Sequence, residues 1–121
     1  MAVSKILVVD DDVSNAEAIT LVLENHNFVV ESIHKSDLLN PTIKSFQPDL
    51  ILMDIILDTN DGRKLCNELK ASNLTKSIPV ILITAMLESQ VDQIPCNADA
   101  IMFKPFDYNK LGRNVKDLLN I

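Results

Sequence analysis

The sequence predicts an α/β protein built on an open parallel sheet with helices on both faces. Five short apolar runs carry that expectation: Ile6–Val9, Phe28–Ile33, Leu50–Met53, Val80–Ile83 and Ala100–Phe103. Most are continuous rather than alternating and rich in Val, Ile and Leu, as in strands covered on both faces. Helical signals fill the stretches between them, so strand and helix alternate along the whole chain. Strands joined in this way need right-handed crossovers, which place helices on both sides of one sheet. A length of 121 residues with 47% hydrophobic residues suits one domain, residues 1–121, with its own core. No internal repeat, linker or low-complexity tract interrupts it.

Each element has a local reason. After the first run, Ser14-Asn15-Ala16-Glu17 reads as a capping box, in which Ser14 and Glu17 satisfy each other's backbone N–H groups. Ile19, Val22 and Leu23 then set an apolar stripe on the helix that follows. Past the second run, Asn40-Pro41 reads as an N-cap followed by Pro at the first helical position, with a helix to about Phe46. Past the third, Asp61-Gly62 opens a helix with Leu65, Cys66 and Leu69 on one side. The stretch after the fourth run, Met86–Asp99, holds Pro95 and few apolar anchors, so a short or irregular fourth helix and a regular one are equally open. Asp107 caps the last helix, whose inward face is Leu111, Val115 and Leu118.

Charge narrows the function. With 11 Lys plus Arg against 17 Asp plus Glu, the net charge is −6, which argues against direct nucleic-acid binding. No apolar run approaches the roughly 18 residues of a membrane span. Met1–Val9 lacks the pattern of a secretory leader, so a cytoplasmic location is expected. Cys66 and Cys96 have no metal or redox spacing and read as ordinary thiols of a reducing compartment. Six aspartates in two stretches, Asp10, Asp11, Asp12 and Asp54, Asp58, Asp61, account for the whole acidic excess.

Those acids sit where sites form in open α/β sheets, beyond the carboxyl ends of the strands. The first run ends in Asp10-Asp11-Asp12, the third in Asp54, the fourth in Thr84-Ala85 and the fifth in Lys104-Pro105. Singly, each has a plain explanation as a solvated loop acid, a cap, a turn residue or a surface charge. Together they converge carboxylates, a hydroxyl and an ammonium on one edge. Packed carboxylates repel and call for a cation, and oxygen ligands suit Mg²⁺. A carboxylate attacks phosphorus once the phosphoryl oxygens are neutralised, forming an acyl phosphate.

In this order and spacing, Ile6-Leu7-Val8-Val9-Asp10-Asp11-Asp12, Pro48-Asp49-Leu50-Ile51-Leu52-Met53-Asp54, Asp61-Gly62, Ile83-Thr84-Ala85 and Phe103-Lys104-Pro105-Phe106 resemble the receiver domain of bacterial two-component response regulators. The resemblance implies a flavodoxin-like, doubly wound five-stranded sheet in order 2-1-3-4-5 with five helices. It implies that Asp54 accepts a phosphoryl group from a phosphohistidine on a sensor histidine kinase or a histidine phosphotransfer protein. Asp11 would be a direct ligand of Mg²⁺ (Mn²⁺ can stand in), and Asp10 a ligand directly or through a bound water. Asp54 and the backbone carbonyl of Ile56 would complete the protein ligands. Thr84 would bond the phosphoryl group and report its arrival, Lys104 would pair with it, and the Lys104–Pro105 bond would be cis. Asp12, Asp58 and Asp61 are left as solvated or capping acids. Such a domain is no enzyme in the ordinary sense: it catalyses only its own phosphorylation and dephosphorylation. The resemblance takes up nearly all of the chain, leaving it either a regulator that acts alone through a switched surface or the receiver of a longer protein.

Three features depart from the family's pattern. The switch position three residues before the lysine, usually aromatic, is Ile101, with Phe103 two residues on and therefore on the same pleat face. Leu57-Asp58 replaces the usual Met-Pro after the acceptor. The positions that tune dephosphorylation, Ile56 and Met86, are apolar and cannot orient an attacking water, so a long-lived phosphoryl group is expected. Two rivals remain: a degenerate receiver that only binds proteins, and a haloacid-dehalogenase-like phosphatase with Asp10 as nucleophile and Asp12 as acid/base. The second leaves Asp54 without a task.

Overall fold

In the computed structural model, residues 3–121 are described; Met1 and Ala2, which begin the stretch weighed as a leader, lie outside the described residues. Strands β1 (Lys5–Val9), β2 (Val29–Ile33), β3 (Leu50–Asp54), β4 (Val80–Thr84) and β5 (Ala100–Phe103) form one sheet in order β2-β1-β3-β4-β5. Every pairing is parallel, with Val9 beside Met53, Asp54 beside Ile83 and Thr84 beside Phe103. Each strand therefore ends at the same edge of the sheet.

The continuous apolar runs have the reason expected of them. Every residue of β3 and β4 is buried, because helices cover both faces. Alternate residues serve opposite cores. Ile6, Val8, Leu50, Leu52, Ile81 and Ile83 pack on one face against α1 (Val13–Asn25) and α5 (Tyr108–Leu119). Leu7, Val9, Ile51, Met53, Val80 and Leu82 pack on the other, against α2 (Leu39–Phe46) and α3 (Gly62–Ala71). At about 1.5–3 kcal/mol for each fully buried aliphatic side chain, these inner strands contribute heavily to the stability of the core. The edge strand β2 alternates exposed and covered positions instead.

Two helix starts differ from the sequence reading. The first helix begins at Val13, and its N-cap is Asp12, whose side chain accepts from Asn15 N–H. Ser14 lies inside the first turn, because the Asp12 carbonyl already accepts from Ala16 N–H and starts the helix two residues early. The second helix begins at Leu39, so Asn40 and Pro41 fall within its first turn rather than at its cap. A 3₁₀ turn, Ser36–Leu38, leads into it without a side-chain cap. That turn is fixed from outside: Ser36 N–H donates to Asp58 Oδ1 at 3.3 Å, and Ser36 Oγ accepts from Asn60 at 2.6 Å.

The other caps are where the sequence placed them. Asp61 caps α3 through Arg63 N–H, and Asp107 caps α5 through Asn109 N–H. The fourth helix is the short alternative, α4 (Glu88–Val91), a single turn. Cys66 and Cys96 are free thiols; Cys66 is buried, and burial pushes it up to about 11.

Candidate functional site

Four strand ends build the site. Asp10 directly follows β1 and is fully buried. Its N–H donates to the Ile33 carbonyl, and its Oδ1 accepts from Asp12 N–H at 2.9 Å. His34 Nδ1 lies 3.0 Å from the Asp10 carbonyl. Asp54 ends β3 at 8% exposure. Its Oδ1 accepts from Ile56 N–H at 3.1 Å and its Oδ2 from Lys104 Nζ at 2.9 Å. Thr84 ends β4, fully buried, with its Oγ1 accepting from Met86 N–H at 2.9 Å. Lys104 follows β5; its N–H donates to the Thr84 carbonyl at 2.7 Å, and its bond to Pro105 is cis.

The structure thus brings Asp10, Asp54 and Lys104 together, with Thr84 on the strand between the two that carry Asp54 and Lys104. Asp11 stays exposed, and among the described residues no group of three or more acid, imidazole or thiol side chains closes up as a metal cage. The electrostatics suit a bound cation. Asp10 Oδ2 is buried and has no hydrogen-bond partner among the described residues; Lys104 Nζ is 4.0 Å away. Burial, aided by the charges of Asp54 and Asp11, outweighs Asp12 N–H and Lys104 and holds the Asp10 carboxyl above its ordinary range. For Lys104 burial acts downward, but its bond to Asp54 and the charges of Asp54, Asp10 and Asp12 win and raise its pKa above the ordinary lysine value. An unpaired buried carboxylate oxygen beside a second carboxylate fits a hard divalent cation such as Mg²⁺ or Mn²⁺.

The loop after Asp54 is a small closed hairpin. Ile56 and Asp61 form an antiparallel bridge, Leu57 N–H donates to the Asn60 carbonyl at 3.3 Å, and Gly62 N–H donates to the Ile55 carbonyl at 2.7 Å. Gly62 is required by space: a Cβ there would sit 2.3 Å from the Asp54 carbonyl oxygen. The acids left as caps behave so: Asp12 and Asp61 cap helices, and Asp58 meets Ser36 N–H. Ile56 is 61% exposed at the mouth, and Met86 is half-buried. Ile101 is half-buried against the α2–α3 core, while Phe103 on the same pleat face is partly exposed. Arg63 went unread in the sequence. It is buried beside Asp61, and nothing in its local spacing signals that its other partners lie in α4.

The sequence profile of the response regulator receiver domain matches residues 6–116, most of the chain. The chain belongs to the response regulator receiver family. This receiver is 29% identical to the DNA-binding dual master transcriptional regulator RpaA of Synechocystis over 95% of its own length and 48% of that protein. It is 32% identical to the DNA-binding response regulator MtrA of Mycobacterium tuberculosis, over 93% of its own length and 49% of that protein. The chain therefore spans about half the length of these relatives, and only 18% of RcaC of Microchaete diplosiphon. Among solved structures, the signal receiver domain of a histidine kinase from Syntrophus aciditrophicus superposes with a TM-score of 0.89 at 31% identity, covering 97% of this chain and 90% of that one. A CheY-like receiver from Methanospirillum hungatei gives 0.86 at 27% identity, covering 98% and 95%.

The family is one of signalling domains rather than classical enzymes, and it works in two-component systems with histidine kinases. The dehalogenase-like reading falls with the match, and its general acid, Asp12, is spent capping α1. No helix of the described residues is long and apolar enough to cross a membrane.

Proposed function

We propose that this receiver accepts a phosphoryl group on Asp54 from the phosphohistidine of a histidine kinase or phosphotransfer protein. The observation that carries the reading is the Asp54–Lys104 pair, closed at 2.9 Å beside the partnerless buried Asp10 Oδ2. A carboxylate oxygen of Asp54 forms the bond to phosphorus as the P–N bond breaks, and the imidazole leaves with a proton. Lys104, which neutralises Asp54 beforehand, then pairs with the phosphoryl oxygens, so no new charge has to be brought in. Thr84, whose Oγ1 accepts from Met86 N–H, keeps its O–H free to donate to the phosphoryl group. Asp10, Asp11, Asp54 and the Ile56 carbonyl would hold Mg²⁺ or Mn²⁺, which supplies charge neutralisation at the phosphoryl oxygens when bound.

In this reading residues 1–121 act as one receiver in the cytoplasm, and phosphorylation switches a surface recognised by a protein partner. Direct contact with nucleic acid or membrane is not part of it, since the acidic balance opposes both. Incubation with acetyl phosphate and Mg²⁺, followed by intact-mass measurement, tests it. The mass should rise by one phosphoryl group in the native protein and stay unchanged in Asp54→Asn. An unmodified native protein would instead favour a degenerate receiver that only binds proteins.

A further inference from the structure

Among the described residues, the buried polar side chains are Asp10, Asp54, Thr84, Ser36 and Arg63. The first three belong to the phosphoacceptor site. Arg63 carries a full charge that the acceptor chemistry does not use. Its guanidinium is spread over two elements. Nε and Nη2 donate to the two carboxylate oxygens of Asp61 at 3.0 and 2.6 Å, the side-on pairing that only arginine makes. Nη1 donates to the carbonyls of Gln90 and Val91 at 2.9 and 3.1 Å.

Both ends of this bridge matter. A single helical turn is too short to be stable alone, and its last carbonyls lack partners within the helix. The Gln90 and Val91 carbonyls meet Gln93 and Ile94 N–H at 3.3 and 3.4 Å, and Arg63 adds shorter, charged donors to both, so the end of α4 is also held from α3. At the other end, Asp61 belongs to the acceptor hairpin. It is bridged to Ile56, whose N–H donates to Asp54 Oδ1. A chain of contacts therefore runs from the Asp54 carboxylate to Ile56, across the hairpin, where the Leu57–Asn60 and Gly62–Ile55 backbone bonds hold Ile56 opposite Asp61 without a bond of their own, and on through Arg63 to α4. Phosphorylation would change its first link directly, because an acyl phosphate carbonyl is a weaker acceptor for Ile56 N–H than a carboxylate oxygen. The switch position 101 carries Ile, with no ring to swing.

We propose that Arg63 is the positioning residue through which the state of the acceptor hairpin biases α4. The inference rests on the phosphoacceptor reading and adds a route for its signal. A chain of contacts alone does not demonstrate coupling, so the experiment must show that both ends bias one element.

Amide hydrogen exchange of the full chain, with and without acetyl phosphate and Mg²⁺, supplies that readout. In the native protein, exchange in residues 56–61 and in residues 88–92 should both change by about fivefold or more, the lower end of ordinary coupling. Arg63→Lys keeps a charge beside Asp61, but one ammonium cannot span the carboxylate and both carbonyls. It should leave the 56–61 response intact and abolish the 88–92 response. Arg63→Met should do the same at lower thermal stability. A merely structural Arg63 would lower stability in both variants while leaving the 88–92 response at native size, and that result overturns the proposal. So does a native protein that responds in 56–61 but not in 88–92. Intact mass of the same samples separates the two levels: a native protein that takes up no phosphoryl group overturns the phosphoacceptor reading itself, and this inference with it.

Discussion

Replacing Asp10 with Asn should stabilise the metal-free protein. Asp10 is fully buried, one of its oxygens has no partner among the described residues, and burial holds its carboxyl above the ordinary range. A carboxyl whose folded pKa lies above its unfolded value binds its proton more tightly in the folded state. The cost of ionising it is absent below the unfolded value of about 3.9 and fully present above the folded one. An unsatisfied buried polar group costs about 1–3 kcal/mol. Asn keeps the shape and an oxygen for Asp12 N–H, removes the charge and ends the repulsion with Asp54; what it gives up, attraction to Lys104 at 4.0 Å, is the smaller effect. Asp10→Asn should therefore gain about 1–3 kcal/mol at pH 7 in EDTA, read from urea unfolding. That corresponds to about 3–5 °C in Tm per kcal/mol for a chain of this size. The gain should shrink toward zero near pH 3. Mg²⁺ should stabilise the native protein and have less effect on the variant, because a ligand that binds only the folded state raises stability in proportion to its affinity. A variant less stable than the native protein at pH 7, or a gain that persists unchanged at pH 3, would refute the reasoning.

Three further outcomes follow from individual contacts. Gly62→Ala should destabilise by about 2 kcal/mol or more, because its Cβ meets the Asp54 carbonyl oxygen at 2.3 Å and the backbone must move; native-like stability in urea would show that the hairpin yields easily. The double hydrogen bond from Arg63 holds Asp61 below the ordinary carboxylate range, so its contribution is full above the unfolded value near 3.8 and is lost as pH falls through its folded pKa. Asp61→Asn should lose about 1–3 kcal/mol at pH 7 and converge with the native protein in acid, whereas a loss that is the same at pH 7 and pH 2.5 would rule out the charge as its source. Ile56 at the mouth and Met86 beside Thr84 offer an attacking water no hydrogen-bond partner in their side chains, so Ile56→Asn and Met86→Glu should speed loss of a radiolabelled phosphoryl group. Unchanged or slower loss in both would sink the account of a long-lived phosphoryl group.

The sheet was legible because burial on both faces leaves a plain mark: β3 and β4 are unbroken apolar runs, and their last residues, Asp54 and Thr84, stand where the apolar pattern stops. That Asp54 and Lys104 share one edge followed from the same rule, since parallel strands end there; their direct pairing was not foreseen. What was missed depends on partners far along the chain. The start of α2 is set by a turn whose anchors, Asp58 and Asn60, lie in the acceptor hairpin, so the local signal at Asn40-Pro41 misplaced it. Ser14 and Asp12 both suit an N-cap, and only the Asp12 carbonyl's bond to Ala16 decides between them. Arg63 satisfies carbonyls 27 and 28 residues away, and those backbone groups leave no trace in side-chain identity. Asp11, read with Asp10 as part of one acidic cluster, is exposed while Asp10 is buried, and the chain pattern alone does not separate two adjacent aspartates in this way.

The central claim is that Asp54 itself becomes the acyl phosphate. Borohydride reduces an aspartyl phosphate to homoserine, which marks the acceptor covalently and can be located by mass spectrometry of peptides. After treatment with acetyl phosphate and Mg²⁺ and then borohydride, homoserine should be found at position 54 and nowhere else. Homoserine at position 10, 11 or 12, or none in a protein whose mass had risen by one phosphoryl group, would contradict the account.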